Sequence, residues 1–349
     1  MNDPQNQKEM LAIIARMGHR DQALMANRSD QVVSVMKEKL CACSSRSVLA
    51  DITNLPDWYI TEDEIEVNKD DILGFGDGTP VVVKIFNENV AKSDQEKDKF
   101  NSTMKLWQRL SDISNVCHLY GACYFTAAPF VVMEHCDMGP LDKYLRQVEP
   151  NRYNVSLEML AQAAEGIAKM HSIGIVHGDL KCDNILLTGT PAKTKVCGFD
   201  HNFDWIALKN KHLVNGTAAK AGIEITDAFR YLAPECVEGM LPNSMSDVYS
   251  FGMTIYHALV GKSPYYEIMK DEELHNCKLA RELPKRDVKL IPDGAWSLIA
   301  QCCDGAADQR PEMPKVIEAL KSWKMGILLY RPSKRRSTQH QLPLIKSKV

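Results

Sequence analysis

No apolar run in the 349-residue chain approaches the ~18 residues that a membrane-spanning helix requires. Nor is there an excess of one charge: 42 Lys and Arg stand against 45 Asp and Glu, so no global field draws nucleic acid or anionic lipid. The first residues, Met1-Asn2-Asp3-Pro4, offer neither the apolar core nor the small-residue cleavage site of a signal peptide. Eleven cysteines are present, yet metal-ligand spacing is missing. Cys41 and Cys43 form a lone C-x-C, and Cys302 and Cys303 are adjacent, with no second Cys or His pair at zinc spacing. Cys123, Cys197 and Cys236 lie in apolar stretches, where a thiol behaves as a small hydrophobe. These absences argue against a membrane span, a nucleic-acid module, a zinc module and a disulfide scaffold. They predict reduced thiols in a cytoplasmic setting.

What is present is an ordinary globular composition, 45% apolar and 25% charged, in a chain long enough to bury a large core. Met10, Leu11, Ile13, Ile14 and Met17, then Val32, Val33, Met36 and Leu40, recur at helical spacing and predict a helical hairpin within 1–55. Its apolar stripe packs on the adjacent domain or binds a partner. Strand signals follow at 64–67, 80–86, 117–125 and 130–135, with a helix at 94–110 between them. After Gly139-Pro140 the pattern is helical, apart from short strands near 175, 185 and 195. A small sheet-rich lobe (56–136) followed by a larger helical lobe (137–325) is an α+β arrangement with a cleft between. From 326 to 349 the chain becomes polar and basic, with Lys334-Arg335-Arg336, and reads as disordered.

The chemistry is concentrated in His177-Gly178-Asp179-Leu180-Lys181-Cys182-Asp183-Asn184, which runs into Ile185-Leu186-Leu187. A carboxylate at Asp179 suits a proton acceptor that orients an attacking hydroxyl. The side-chain oxygen of Asn184 suits a metal ion, and Lys181 suits charge on a transferring phosphoryl group.

The string resembles the catalytic loop of protein kinases. Val81-Val82-Val83-Lys84 looks like their lysine strand, and Ala233-Pro234-Glu235 like the motif closing the activation segment. Ser246-Asp247-Val248-Tyr249-Ser250-Phe251-Gly252 is similar to the anchor helix of the large lobe, and Arg310 stands where kinases pair an arginine with that glutamate. The likeness runs from about residue 60 to 325 and implies a bilobal protein-kinase-like fold. Asp179-Leu180-Lys181 is similar to serine/threonine kinases, while Leu119-Tyr120-Gly121-Ala122-Cys123 and Ala228-Phe229-Arg230-Tyr231 resemble the tyrosine-kinase-like group. The resemblance further implies ATP and Mg²⁺ as cofactors and a protein substrate or partner. Asp179, Lys181 and Asn184 would be catalytic. Lys84, Gly74, Gly76, Val82, Met133, Glu134, Cys136 and Leu186 would meet ATP, and Asn184 with Asp200 the metal.

Three departures strike this machinery. Gly74-Phe75-Gly76-Asp77-Gly78 leads almost at once into the lysine strand, too soon for a glycine-rich lid, and Asp77-Gly78 reads instead as a hairpin turn. The position of the lysine's glutamate partner falls at Thr103, with Glu96 two turns earlier. Gly198-Phe199-Asp200 exchanges the ends of the Asp-Phe-Gly metal motif, and two extended residues displace Asp200 by about 6–7 Å. Two readings stay open. One is a pseudokinase or very weak kinase serving as an interaction module. The other is an active serine/threonine kinase with Asp179 as base, whose Gly-rich loop was lost to a faulty gene model. An adaptor acting through residues 334–336 is opposed by the acidic balance.

Overall fold

Short β-branched runs and one amphipathic helix build the smaller half of the molecule. The computed structural model describes residues 58–60, 65–67, 73–75, 78–86, 94–123, 129–149, 151–199 and 227–329. The small lobe contains β1 (Glu66–Val67), β2 (Leu73–Gly74), β3 (Val81–Ile85), helix α1 (Asp94–Leu110), β4 (Leu119–Cys123) and β5 (Phe130–Glu134). Val-Val-Val-Lys-Ile in β3 favours a pleated strand, and the antiparallel order is β3-β5-β4. Val82 lies opposite Met133 and Lys84 opposite Val131.

In α1, Phe100, Met104, Trp107 and Leu110 recur on one face and are all buried against the sheet. Each contributes on the order of 1.5–3 kcal/mol by leaving water. Residues 58–60 add a parallel edge beside β4, with Ile60 N–H donating to Ala122 O (3.0 Å) and Ala122 N–H to Trp58 O (3.0 Å). That approach requires Gly121, because a Cβ there would sit 2.3 Å from the Trp58 carbonyl oxygen.

The stretch read as a hairpin in place of a lid joins β2 closely to β3. Gly74 ends β2, which pairs with β1, and bridges to Pro80. Gly78 N–H donates to Phe75 O (2.8 Å) with φ +83°, and Phe75 N–H to Thr79 O (3.1 Å), which ties the end of β2 to the start of β3. Gly74 therefore serves the hairpin. Gly76, Asp77 and the connection 68–72 between β1 and β2 lie outside the described residues.

The large lobe contains β6 (Gly139–Pro140), α2 (Leu141–Gln147), α3 (Arg152–Ser172), β7 (Ile185–Thr188), β8 (Lys193–Val196), α4 (Pro234–Val237), α5 (Ser244–Val260), α6 (Asp271–Leu279), α7 (Asp293–Cys302) and α8 (Met313–Leu329). Strands β6, β7 and β8 form an antiparallel sheet on the cleft side. Helix α5 is apolar all round and buried from Ser246 to Leu259, as a central core helix must be. Asn243 caps it, accepting from Met245 and Ser246 N–H, while Gly261 (φ +78°) closes it.

The bilobal α+β arrangement thus matches the sequence expectation, with one correction. Ile175 is not in a strand: its N–H donates to Met170 O (3.0 Å), and Gly174 (φ +75°) turns the chain off the end of α3. An apolar run that short cannot be told from a helix cap by pattern alone. Helix α8 continues past residue 325, where the sequence places the end of the domain. The hairpin expected within 1–55 and the tail from 330 onward lie outside the described residues. No helix among those residues is long and apolar enough to cross a membrane.

Arg310 clamps the base of this lobe. Its guanidinium donates to both oxygens of Glu235 (2.6 and 2.8 Å) and to Met245 O (3.0 Å), with Arg310 4% and Glu235 8% exposed. Burial pushes the Glu235 carboxyl up, but the Arg310 hydrogen bonds outweigh it and leave the group below its ordinary value. Glu235 therefore stabilises the fold fully above pH ~4.5, and that contribution is lost as pH falls through the lowered folded value. Truncation in Arg310→Ala strands a buried carboxylate and is expected to cost ~3–5 kcal/mol, read by urea unfolding at neutral pH. A loss under 1 kcal/mol would contradict the clamp.

Candidate functional site

The catalytic-loop string hangs from a single buried carboxylate. Asp247, in the first turn of α5 and 1% exposed, accepts His177 N–H (2.7 Å), Gly178 N–H (2.8 Å) and a contact from His171 Nε2 (2.9 Å). Gly178 can follow because its φ is +80°. The fully buried His177 ring then faces Cys197 O through Nε2 (2.8 Å), while its Nδ1 lies 3.2 Å from Asp179 N–H. A carbonyl only accepts and an amide only donates, so these partners assign the hydrogen to Nε2. One imidazole thereby ties the loop to the strand end at residue 197.

Asp179, Lys181 and Asn184 are brought together as the sequence expects. Asn184 Nδ2 donates to Asp179 O (2.7 Å) and Asp179 Oδ2 (2.7 Å), and Lys181 Nζ lies 3.2 Å from the same Oδ2. All three are partly accessible, and Asp179 can orient a hydroxyl in this setting.

The neighbouring metal position is altered. Gly198 has φ +91°, and a Cβ built on it would lie 2.4 Å from Asn184 Cγ and 2.6 Å from each amide atom. The Asn184 amide thus occupies the space in which any side chain at 198 would begin. Phe199 keeps its packing role, fully buried with ring centroids 5.3 Å from Trp107 and 5.0 Å from His177. Asp200 lies outside the described residues. Among those residues no group of three His, Cys, Asp or Glu could hold a metal ion. Asn184 alone, with its amide nitrogen committed to Asp179, does not fit the octahedral oxygen set of Mg²⁺.

The cleft wall shows a second change. Val82 and Met133 face each other across β3 and β5, while Lys84 is exposed with Nζ 5.7 Å from the Phe86 ring centroid. On α1, Thr103 is 1% exposed, and its hydroxyl finds no hydrogen-bond partner among the described residues. A hydroxyl there cannot form the ion pair that a glutamate would. The Glu134 carboxylate accepts from Lys195 Nζ (2.9 Å) and His118 N–H (3.1 Å). Cys136, Met133 and Leu186 do converge, joined by Cys117 and Cys197 into a small apolar cluster.

Several contributors escaped the sequence reading. Asp247 carried a signal, an ionisable residue within an otherwise apolar helix, but its partners are separated from it by about seventy positions. Trp107, whose Nε1 donates to Cys117 O (2.8 Å), and the two further cysteines were invisible as cleft residues. So was Lys278, fully buried on α6. It donates to Arg230 O (2.6 Å) and Leu232 O (3.0 Å) between the rings of Tyr249 and Tyr265. Burial pulls its ammonium down to about 7. Together with Arg230, which donates to Pro264, Tyr265 and Ile268 carbonyls, it fixes the segment preceding α4.

A model of the family described as protein tyrosine and serine/threonine kinase matches residues 68–320. The chain is 28% identical over 254 residues to the serine/threonine-protein kinase PkaA of Streptomyces coelicolor, covering 72% of this chain and 44% of that protein. A probable serine/threonine-protein kinase of Dictyostelium discoideum is 28% identical over 256 residues, 71% of this chain and 14% of its own length. Mitogen-activated protein kinase kinase kinase 7 of Bos taurus is 25% identical over 235 residues, 66% of this chain and 38% of its own. The chain therefore spans less than half the length of each of these relatives.

The steric argument at Gly198 gives a direct expectation. Placing the aspartate back, in Gly198→Asp, forces a side chain into positive φ against Asn184 and is expected to cost about 2–4 kcal/mol. Thermal unfolding should show Tm lower by roughly 4–12 °C. An unchanged or higher Tm in the presence of Mg²⁺ would contradict it.

Proposed function

The chain belongs to the protein tyrosine and serine/threonine kinase family, and on that premise we propose that it is a pseudokinase, or at most a very weak serine/threonine phosphotransferase, acting in signalling as an interaction or allosteric module. One observation carries this reading: the Asn184 amide fills the space beside Gly198 in which the metal-binding carboxylate of an active kinase would begin. Thr103, buried with its hydroxyl unsatisfied, stands where the family places a glutamate, and this supports it. Losing one preorganised electrostatic element costs ~10²–10³ in rate. These elements act as a unit, so their losses do not multiply, and a combined deficit of at least ~10³ is expected. Similarity to a mitogen-activated protein kinase kinase kinase supports the signalling context. The large lobe and residues 1–48 are the proposed protein-binding parts. None of the nine described cysteines is joined in a disulfide, which suits a reducing compartment such as the cytoplasm.

ATP is proposed as a ligand of the cleft without a transfer step routed through Mg²⁺. Val82, Met133, Cys136 and Leu186 would flank its base, with the Glu134 backbone at the edge. The assembled Asp179, Lys181 and Asn184 favour the second reading, an active serine/threonine kinase, and the two are separable. The full chain is incubated with γ-labelled ATP, Mg²⁺ or Mn²⁺ and casein, beside Asp179→Asn. Labelling equal in the two proteins is expected; labelling abolished by the substitution would establish the active kinase instead. In parallel, a nucleotide at 100 times its Kd should stabilise the fold by ~2.7 kcal/mol. The shift is expected to be the same with and without divalent metal. No shift at millimolar ATP would remove nucleotide binding from the proposal.

A further inference from the structure

Cys117, Cys136 and Cys197 form a cluster of their own, separate from the main core, with Met133 and Leu186 packed against it. It lies where β5 leaves the small lobe and β8 ends, at the back of the slot proposed for the nucleotide base. The antiparallel register that pairs Leu119 with Met133 continues one step further, where Glu134 N–H donates to His118 O (2.9 Å). It delivers Cys117 to the same end of the strand pair as Cys136. Both thiols converge on one acceptor: Cys117 Sγ lies 3.6 Å and Cys136 Sγ 4.0 Å from Glu134 O. Cys136 retains 8% exposure, whereas Cys117 is fully buried behind it.

Two thiols aimed at one carbonyl, one of them keeping a little exposure, form an oxidisable pair. We propose that Cys117 and Cys136 are a peroxide-sensitive site whose disulfide closes the base slot, a regulation that rests on the nucleotide-binding reading above. The Cys136 sulfur attacks hydrogen peroxide, breaking the O–O bond and giving a sulfenic acid and water. The Cys117 sulfur then attacks that sulfenic sulfur, forming S–S and releasing a second water. In balance, two thiols and one peroxide give one disulfide and two waters. The order follows from the surroundings. The hydrogen bond with Cys136, followed by burial, holds the Cys117 thiol well above its ordinary value, which makes it a poor first nucleophile and leaves it the resolving role. Once formed, the bridge lies against the Glu134 carbonyl and replaces two separate thiols with one rigid link.

The test uses the full chain treated with hydrogen peroxide, quenched, alkylated under denaturing conditions and cleaved after glutamate. Cleavage after Glu134 separates Cys117 from Cys136 unless they are joined. The expected result is a cross-linked pair of peptides lighter by two hydrogens, released by dithiothreitol and absent in Cys117→Ser and in Cys136→Ser. Cys123 shares the Cys117 peptide, so survival of the link in Cys117→Ser would overturn the assignment. A link from Cys117 to Cys197, or no link at all, would overturn it equally. ATP-induced stabilisation, measured on reduced and oxidised protein, is expected to vanish on oxidation and return with dithiothreitol. If the reduced protein shows no ATP effect while the link forms, the nucleotide reading fails and the thiol pair stands.

Discussion

A single carboxylate, buried on an apolar helix, organises the centre of this molecule. Asp247 could not remain there as a charge without donors, and it receives two consecutive backbone amides together with a histidine. Those amides belong to the very loop that carries Asp179. The cap at Asn243 fixes where α5 begins, and with it the height at which Asp247 is presented. From that point the chain of consequence is short. The loop backbone sets the His177 ring, the ring holds the Cys197 carbonyl, and Cys197 N–H returns to Asn184 O (2.9 Å). Residues that look independent along the chain are one hydrogen-bonded unit, and loss of any buried member leaves others unsatisfied.

That unit has two faces with different fates. On one side, Asp179, Lys181 and Asn184 keep a compact, mutually bonded arrangement. On the other, Gly198 has let the Asn184 amide settle into the room that a side chain would need, and Thr103 buries an unsatisfied hydroxyl on α1. The packing beneath is untouched, since Phe199 still fills the space between Trp107 and His177. A fold can keep its core while its electrostatics change, because burial is non-directional and ion coordination is not.

Much of this was legible in the residues. Helix α1 spans 94–110 as its apolar spacing predicts, and the Asp77-Gly78 turn is reflected in Gly78 at φ +83°. The clamp between Arg310 and Glu235 also followed from their motifs. Other features were misread for definable reasons. Ile173-Gly174-Ile175-Val176 carries strand-like apolarity but completes the cap of α3, where a hydrogen bond back to Met170 outweighs local preference. Glycine marks backbone freedom without saying what that freedom is for.

By itself the sequence determined the family, the α+β class, the order of the elements and the presence of Asp179, Lys181 and Asn184, because periodicity and motif spacing are local properties of the chain. Only the tertiary structure decided that Asn184 fills the space beside Gly198, that Thr103 is buried, that Asp247 carries the loop and that Cys117 and Cys136 meet at one carbonyl. These are contacts between residues about fourteen to seventy positions apart, whose outcome depends on side-chain volume and hydrogen-bond geometry within about an ångström, and that information exists only once the chain has closed on itself.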